Sequence, residues 1–378
     1  MATDDSSLQQ TIAGIGARFA IEGEFVSGEE IVSGHINTTY RAAYAAADGS
    51  VRRYILQRIN GHVFKDPEAV MSNVARVTRH IGGKVAFGAQ TLRLFPARDG
   101  TSWTTGPDGG VWRCYNCLEG CVTHDVVETP EQAYQAARAF GAFQELVSDL
   151  PAGELAETIP DFHDTRKRFA RLLEVAAADP CGRLETARRE FEFILAREAD
   201  AGRLLGLHEA GEIPLRVIHN DTKINNVMVD AATGEAVCVI DLDTVMPGLS
   251  LYDFGDLVRS SVSPAAEDET DLSKVEMRMP VFEALVEGFL STAGGFLNDV
   301  EIEHLAFAGK LLTFEVGIRF LTDFLEGDVY FKTHRPGHNL DRCRTQLALV
   351  ARMEEREVEM RQCVAGAGKS RCLRGRRA

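Results

Sequence analysis

No uncharged apolar run in this sequence approaches the roughly 18 residues that suggest a membrane span. The first residues, Met1 to Asp5, are acidic where a secretory leader needs a basic stretch. The expectation is a cytoplasmic protein that does not engage membranes. Cysteine is sparse, eight over 378 residues, too few for a disulfide framework, so the thiols are expected to stay reduced. Basic residues are outnumbered, 41 against 56 acidic, and the net charge of −15 argues against nucleic-acid partners. One basic patch stands out, at residues 365–378. Taking its five basic residues (Lys369, Arg371, Arg374, Arg376 and Arg377) off a net charge of −15 leaves −20 on the rest. Gly-rich and terminal, this tail reads as disordered.

What is present is an ordinary globular composition, 45% hydrophobic and 26% charged, able to bury a sizeable core. The length allows two lobes. Residues 29–60 read as an antiparallel meander: Glu30 to Ser33, Thr39 to Tyr44 and, after the Asp48-Gly49 turn, Val51 to Ile59. Asp66-Pro67 opens a helix through Ile81, and strand-like runs follow near 91–95 and 111–118. Cys114, Cys117, Cys121 and His124 imitate a zinc knuckle, but 111–118 reads as a strand, where four ligands would lack a separate loop to close on. Beyond residue 130 the periodicity predicts long amphipathic helices at 131–149, 161–176, 184–205, 272–292, 300–325 and 338–362. One strand pair interrupts them, Val227 to Val229 and Val237 to Ile240. The domain reading is a strand-rich nucleotide-binding lobe at 1–120, a hinge near 118–125, a helical catalytic lobe at 121–364 and the tail.

Just before that hairpin, His219-Asn220-Asp221-Thr222-Lys223-Ile224-Asn225-Asn226 fits His-x-Asp-x4-Asn, the spacing of a phosphotransferase catalytic loop. Asp221 would reach an acceptor hydroxyl, and Asn226 would turn its amide oxygen toward Mg2+. The hairpin returns Asp241 beside Asn226 as the second metal ligand. Asp253-Phe254-Gly255 spells the kinase metal tripeptide, but it follows the Pro247-Gly248 break. Asp253 is therefore read as a helix N-cap or a carboxylate bracing the loop. His163-Asp164 reads as a helix cap, and Glu315 and Arg319 as a pair at helical spacing.

These residues resemble the aminoglycoside phosphotransferase and choline kinase superfamily. Within it the sequence is most similar to N-acetylhexosamine 1-kinases, through Gly34 to Tyr40, Tyr54 to Gln57, His219 to Asn226, Val239 to Gly248, Tyr252 to Asp256, Gly317 to Asp323 and Asp328 to Phe331. The resemblance implies an α+β, bilobal protein-kinase-like fold, an antiparallel-sheet lobe over a mostly helical one. It implies ATP- and Mg2+-dependent phosphorylation of the anomeric hydroxyl of an N-acetylhexosamine by a monomer or weak dimer. Asp221 would be the base and Asn226 and Asp241 the metal ligands. Gly34, His35, Ile36 and Asn37 would form the turn over the triphosphate. Lys223, Arg319 and Tyr330 would face the sugar or its developing phosphate. Glu119 joins the nucleotide set, and so do Gln57 and Arg58, which stand where a kinase has its phosphate-clamping lysine. Gln57 is in register with that lysine, while Arg58 has its charge. The rival readings are a kinase for an aminoglycoside or choline-like amine, and a pseudokinase scaffold.

Overall fold

The computed structural model describes residues 2–32, 37–85 and 90–375. The chain runs α1 (Ala2–Gly16), β1 (Glu24–Ile31), β2 (Thr38–Ala45), β3 (Val51–Arg58), α2 (Pro67–Gly82), β4 (Leu94–Phe95), β5 (Thr104–Thr105), β6 (Val111–Asn116) and β7 (Cys121–Val122). The second half is helical: α3 (Pro130–Val147), α4 (Thr165–Ala178), α5 (Arg188–Leu195), α6 (Glu198–Ala201) and α7 (Arg203–Glu209). Then follow β8 (Arg216–Ile218), β9 (Val227–Asp230), β10 (Ala236–Val239), β11 (Met246–Gly248), α8 (Ser250–Ser261) and α9 (Met279–Ala293). Last come α10 (Asp299–Glu303), α11 (Leu305–Glu326), α12 (His338–Glu355) and α13 (Glu357–Gly375). No helix among the described residues is long and apolar enough to cross a membrane.

The N-terminal sheet has the order β1-β2-β3-β6-β4, with β5 on β6, and the named pairs are antiparallel. At the β2–β3 turn Asp48 Oδ1 accepts the Ser50 N–H at 2.9 Å, and Gly49 takes φ 81°, which a side chain would oppose. Alternation along β3 then divides the lobe. Tyr54 and Leu56 join Ile12, Ile15, Phe19, Trp112 and Cys114 in a core under α1, while Ile55 and Gln57 face the cleft. Cys114 is thus a core residue of the β6 strand.

The larger core belongs to the helical half and takes in α2. Asp66 caps α2 through the Ala69 N–H at 3.0 Å, Pro67 opens the helix, and Val70, Met71, Val74, Val77 and Ile81 are buried. A Thr129/Gln132 capping box with Pro130 starts α3. α3 and α9 approach closely because Gly141 and Gly288 lie on the facing surfaces. A Cβ on Gly141 would stand 2.7 Å from the Phe289 carbonyl, and one on Gly288 would meet the Tyr134 carbonyl.

Several expectations are corrected. The span 184–205 is three short helices, because the chain turns at Ala196-Arg197 and Gly202, and 272–292 opens with a single 3-10 turn at Leu272–Lys274 and becomes α-helical only from Met279. The helix α13, which packs against α9, runs as helical backbone to Gly375. α1 was not foreseen.

Candidate active site

Two small sheets root the site. β8 pairs with β11, and β9 with β10 and β7, so the loop at 219–226 and the turn at 240–245 leave neighbouring strands. The loop is braced from beneath by α8. Asp253, fully buried, accepts the His219 and Asn220 N–H groups at 2.9 and 2.7 Å and the Gln144 amide at 2.7 Å. Asp256 accepts the Thr222 N–H at 2.9 Å. Asp253 is therefore a brace. It is not the cap that the sequence also allowed, since it lies inside α8 and spends its oxygens on the loop. Burial pushes its carboxyl up. Burial also raises that of Asp256, but Arg259 and His163 outweigh it and hold Asp256 below the usual range. His219 Nε2 lies 2.9 Å from the Ile240 carbonyl and Nδ1 takes the Asp221 N–H at 3.3 Å, which makes Nε2 the protonated nitrogen.

The Asp221 carboxylate so presented lies 3.1 Å from Lys223 Nζ and takes 3.2 Å from Asn226 Nδ2, which also donates to the Asp221 carbonyl at 2.8 Å. Burial works against the Lys223 charge, but Asp221 and Asp256 more than compensate and raise its pKa. Asp241 follows β10 in the left-handed region at φ 61°. Its carboxyl is pushed up to about 7 by burial and then by Asp243 and Asp221, against Arg113 and Lys223. Among the described residues no three His, Cys, Asp or Glu are placed to hold a metal. The donor set nonetheless fits Mg2+. Asn226 has its amide nitrogen engaged and its oxygen left over, Asp241 is a carboxylate among like charges, and this cation draws most of its oxygens from phosphates and water.

Asp221, Lys223, Asn226 and Asp241 form the floor of a cavity of about 460 Å³ whose roof is the N-terminal sheet. Ile31, Ile55, Leu92, Tyr115, Met228 and Ile240 give it apolar walls, and Asn37, Gln57 and Arg113 polar ones. Of the nucleotide residues expected from sequence, Asn37 and Gln57 line this cavity. Arg58 does not. Next to Gln57 on a strand, it points to the opposite face and pairs with Asp108 at 2.7 Å. Glu119 is also off the cavity, exposed and 3.1 Å from Arg53. Gly34, His35 and Ile36 lie outside the described residues. Arg113 was missed, because only the β3–β6 register places it opposite Gln57.

Arg319 and Tyr330 form a separate cluster. The Arg319 guanidinium lies 5.6, 5.9 and 5.5 Å from the rings of Phe162, Tyr330 and Phe331. The expected pairing with Glu315 is replaced. Glu315 is buried and instead meets His163 Nδ1 at 2.8 Å and Thr165 Oγ1 at 2.6 Å. His163 Nε2 is 3.4 Å from the Asn220 carbonyl, which joins the cluster to the 219–226 loop. Asp164 caps α4 as expected, through the Lys167 N–H at 3.0 Å. Tyr330, 67% exposed, is set by Asp323, which accepts the N–H groups of Val329, Tyr330 and Phe331 at 2.9, 2.7 and 2.9 Å. Arg168 adjoins Arg319. It donates to the Phe162 carbonyl at 3.2 Å, and its Nε is buried without a partner among the described residues.

A family model described as the phosphotransferase enzyme family matches residues 27–277, more than half of the chain. The chain belongs to that family. Among solved structures, this phosphotransferase is similar to a microcompartment-associated aminopropanol kinase (TM-score 0.57, 17% identity, 94% of this chain and 98% of that one). It is also similar to an aminoglycoside phosphotransferase from Alicyclobacillus acidocaldarius (0.57, 13%, 93% and 96%). A third is a spectinomycin phosphotransferase solved with ADP and spectinomycin (0.56, 11%, 92% and 98%). At these identities the likeness establishes the fold, a bilobal kinase-like one, and the family makes the protein a phosphotransferase.

Proposed function

We propose that this enzyme transfers the γ-phosphoryl group of ATP to the anomeric hydroxyl of an N-acetylhexosamine in a Mg2+-dependent reaction. The nucleotide complexes among similar structures support a nucleotide donor. The cavity between the sheet and the catalytic loop would hold it. Asn226 and Asp241 would hold Mg2+, which when bound neutralises charge on the transferring phosphates. Asp221 would orient the acceptor hydroxyl and take its proton in line with the attack, with Lys223 Nζ 3.1 Å from its carboxylate.

The observation that carries the acceptor assignment is Arg319, ringed by Phe162, Tyr330 and Phe331 and without an ion-pair partner among the described residues. A neutral acetamido sugar offers hydroxyls and an amide to such donors and a ring face to such aromatics. An amine acceptor, as in the names of several structural relatives, calls for free carboxylates. Those near this cluster are engaged: Asp161 with Lys167 at 2.6 Å, Asp328 with Arg183 at 2.6 Å, and Asp323 with three backbone N–H groups.

A panel of free sugars and amines with ATP tests the reading, with the product examined by NMR. The expected product has a phosphorus-coupled anomeric proton. Arg319→Ala should lose most of kcat/KM toward N-acetylhexosamine with ATP affinity nearly unchanged. Phosphorylation at the 6-hydroxyl, or faster turnover of an aminoglycoside, would sink the assignment and leave the broader kinase activity.

A further inference from the structure

Among the described residues every cation lining the cleft already faces a carboxylate. Arg41 meets Glu29, Lys223 meets Asp221, and Arg113 meets Asp243. The last pair is enclosed, with side chains 1% and 2% exposed. Its guanidinium is fully oriented: Nε and Nη2 donate to Gln57 Oε1 at 2.9 and 2.6 Å, and Nη1 to Asp243 Oδ1. Gln57, the cross-strand partner of Arg113, is itself anchored by donating to Thr39 Oγ1 at 3.0 Å. The other oxygen of Asp243 accepts from Asn37 Nδ2 at 2.7 Å, and Asn37 Oδ1 accepts the Asn60 N–H at 2.9 Å. Asp243 lies two residues past Asp241, in the tight turn Leu242–Thr244. Asp241 itself is held in the left-handed region, where a residue with a side chain stays only if its surroundings impose it. Strands β3 and β6, the approach to β2 and the turn carrying Asp241 thus converge on one carboxylate.

We propose that Arg113 and Asp243 are a positioning pair. They fix the turn that carries Asp241 against Asn37, so that the metal-binding carboxylate and the start of β2 are set as one unit. Gln57, in the place of a kinase's phosphate-clamping lysine, holds Arg113 instead of phosphate. An enclosed guanidinium already engaged on two sides cannot reach a phosphate without leaving Asp243 as an uncompensated buried charge. The proposal rests on the kinase reading of the cleft, in which Asp241 meets the cation.

Calorimetric binding of ADP, with and without Mg2+, tests it and needs no acceptor. For Asp243→Asn, metal-free ADP affinity should stay within about twofold of wild type, and for both Asp243→Asn and Asn37→Ala the Mg2+ concentration that half-saturates the metal-dependent gain should rise about 10–100-fold. Arg113→Lys, which keeps the charge and loses the fork, should behave the same way. If Arg113→Lys instead weakens metal-free ADP binding with the Mg2+ requirement unchanged, Arg113 is a phosphate ligand and the proposal fails. It fails equally if folded Asp243→Asn shows the wild-type Mg2+ requirement and only a lower melting temperature. Should Arg113→Lys not fold, Asn37→Ala, at a partly buried position, and Asp243→Asn decide by themselves. Wild-type ADP binding indifferent to Mg2+ would overturn the underlying reading instead, so the two failures are distinguishable.

Discussion

Asp221 is held from three directions, by Lys223, by Asn226 and through its own N–H by His219, which leaves a narrow test of its role. Asp221→Asn preserves shape and hydrogen bonding and removes only the proton acceptor. Its kcat should fall about a hundredfold or more, with nucleotide affinity little changed by titration. Glu315 offers a test in pH. Burial raises its carboxyl, but His163 and Thr165 outweigh it and hold the pKa below the ordinary 4.5. A group depressed in the folded state contributes stability above its unfolded pKa and loses it as pH falls through the folded value. Urea midpoints taken from pH 6 down to pH 3 should therefore drop more steeply for the wild type than for Glu315→Gln, which starts lower and runs flatter. Parallel curves would remove Glu315 from the acid limb. Asp253 is shifted in the opposite sense, so the comparison of variants, and not the wild-type curve, isolates Glu315. At this scale the proposed catalytic string was legible as one loop at the cavity, because its residues are contiguous and their spacing is set by that loop. Arg113 was not, since its part in the cleft exists only once β6 is laid beside β3. Arg58 shows the converse: charge suggested it, and strand alternation turns it away.

The element that matters most to the candidate site is α8, which supplies both braces of the 219–226 loop and packs on α11. A Cβ on Gly255 would stand 2.5 Å from the Ala308 carbonyl, so the two helices approach at a position that only glycine fits. Gly255→Ala should lower stability by about 1–3 kcal/mol, as overpacking does. Because Gly255 lies between Asp253 and Asp256, the same change should reduce kcat more than KM for ATP. Asp253→Ala is expected to be harsher than loss of a helix cap. It strands two buried N–H groups and the Gln144 amide, so urea unfolding should register a loss of about 3–5 kcal/mol. A cost near 1 kcal/mol would mean that the loop holds itself. Strands and capped helices were read from sequence within a few residues where their signals are local, as with Asp66-Pro67 before α2 and Asp48-Gly49 between β2 and β3. α1 escaped because its opening is polar, although Ile12 and Ile15 are buried and Phe19 is fully enclosed beyond its end. The single helix expected at 184–205 failed because apolar periodicity continues across turns that break the backbone.

At the scale of the whole molecule, burial divides into two apolar clusters. The smaller one lies between α1 and the outer face of the N-terminal sheet, around Ile12, Ile15, Phe19, Leu56 and Trp112. The larger one runs through α3, α8, α9, α11 and α12 and takes in α2 and Tyr115. A protein built this way can lose its smaller core first, since sub-global openings follow the units that pack cooperatively. The cavity lies between the two, with Gln57 and Arg113 from the sheet above and Asn226 and Asp241 from the loops below. A nucleotide there would touch both halves and stabilise them together by mass action. Ile15→Ala, which removes side-chain atoms from a site 2% exposed, should cost about 2–5 kcal/mol. In calorimetry without nucleotide that loss should fall on an early transition and leave a later one in place, whereas Phe254→Ala, fully buried in the larger core, should lower the later one. Saturating ADP with Mg2+ should draw the transitions together. If both variants shift one shared transition equally, with or without nucleotide, the two cores unfold as one and the cleft is not a mechanical boundary.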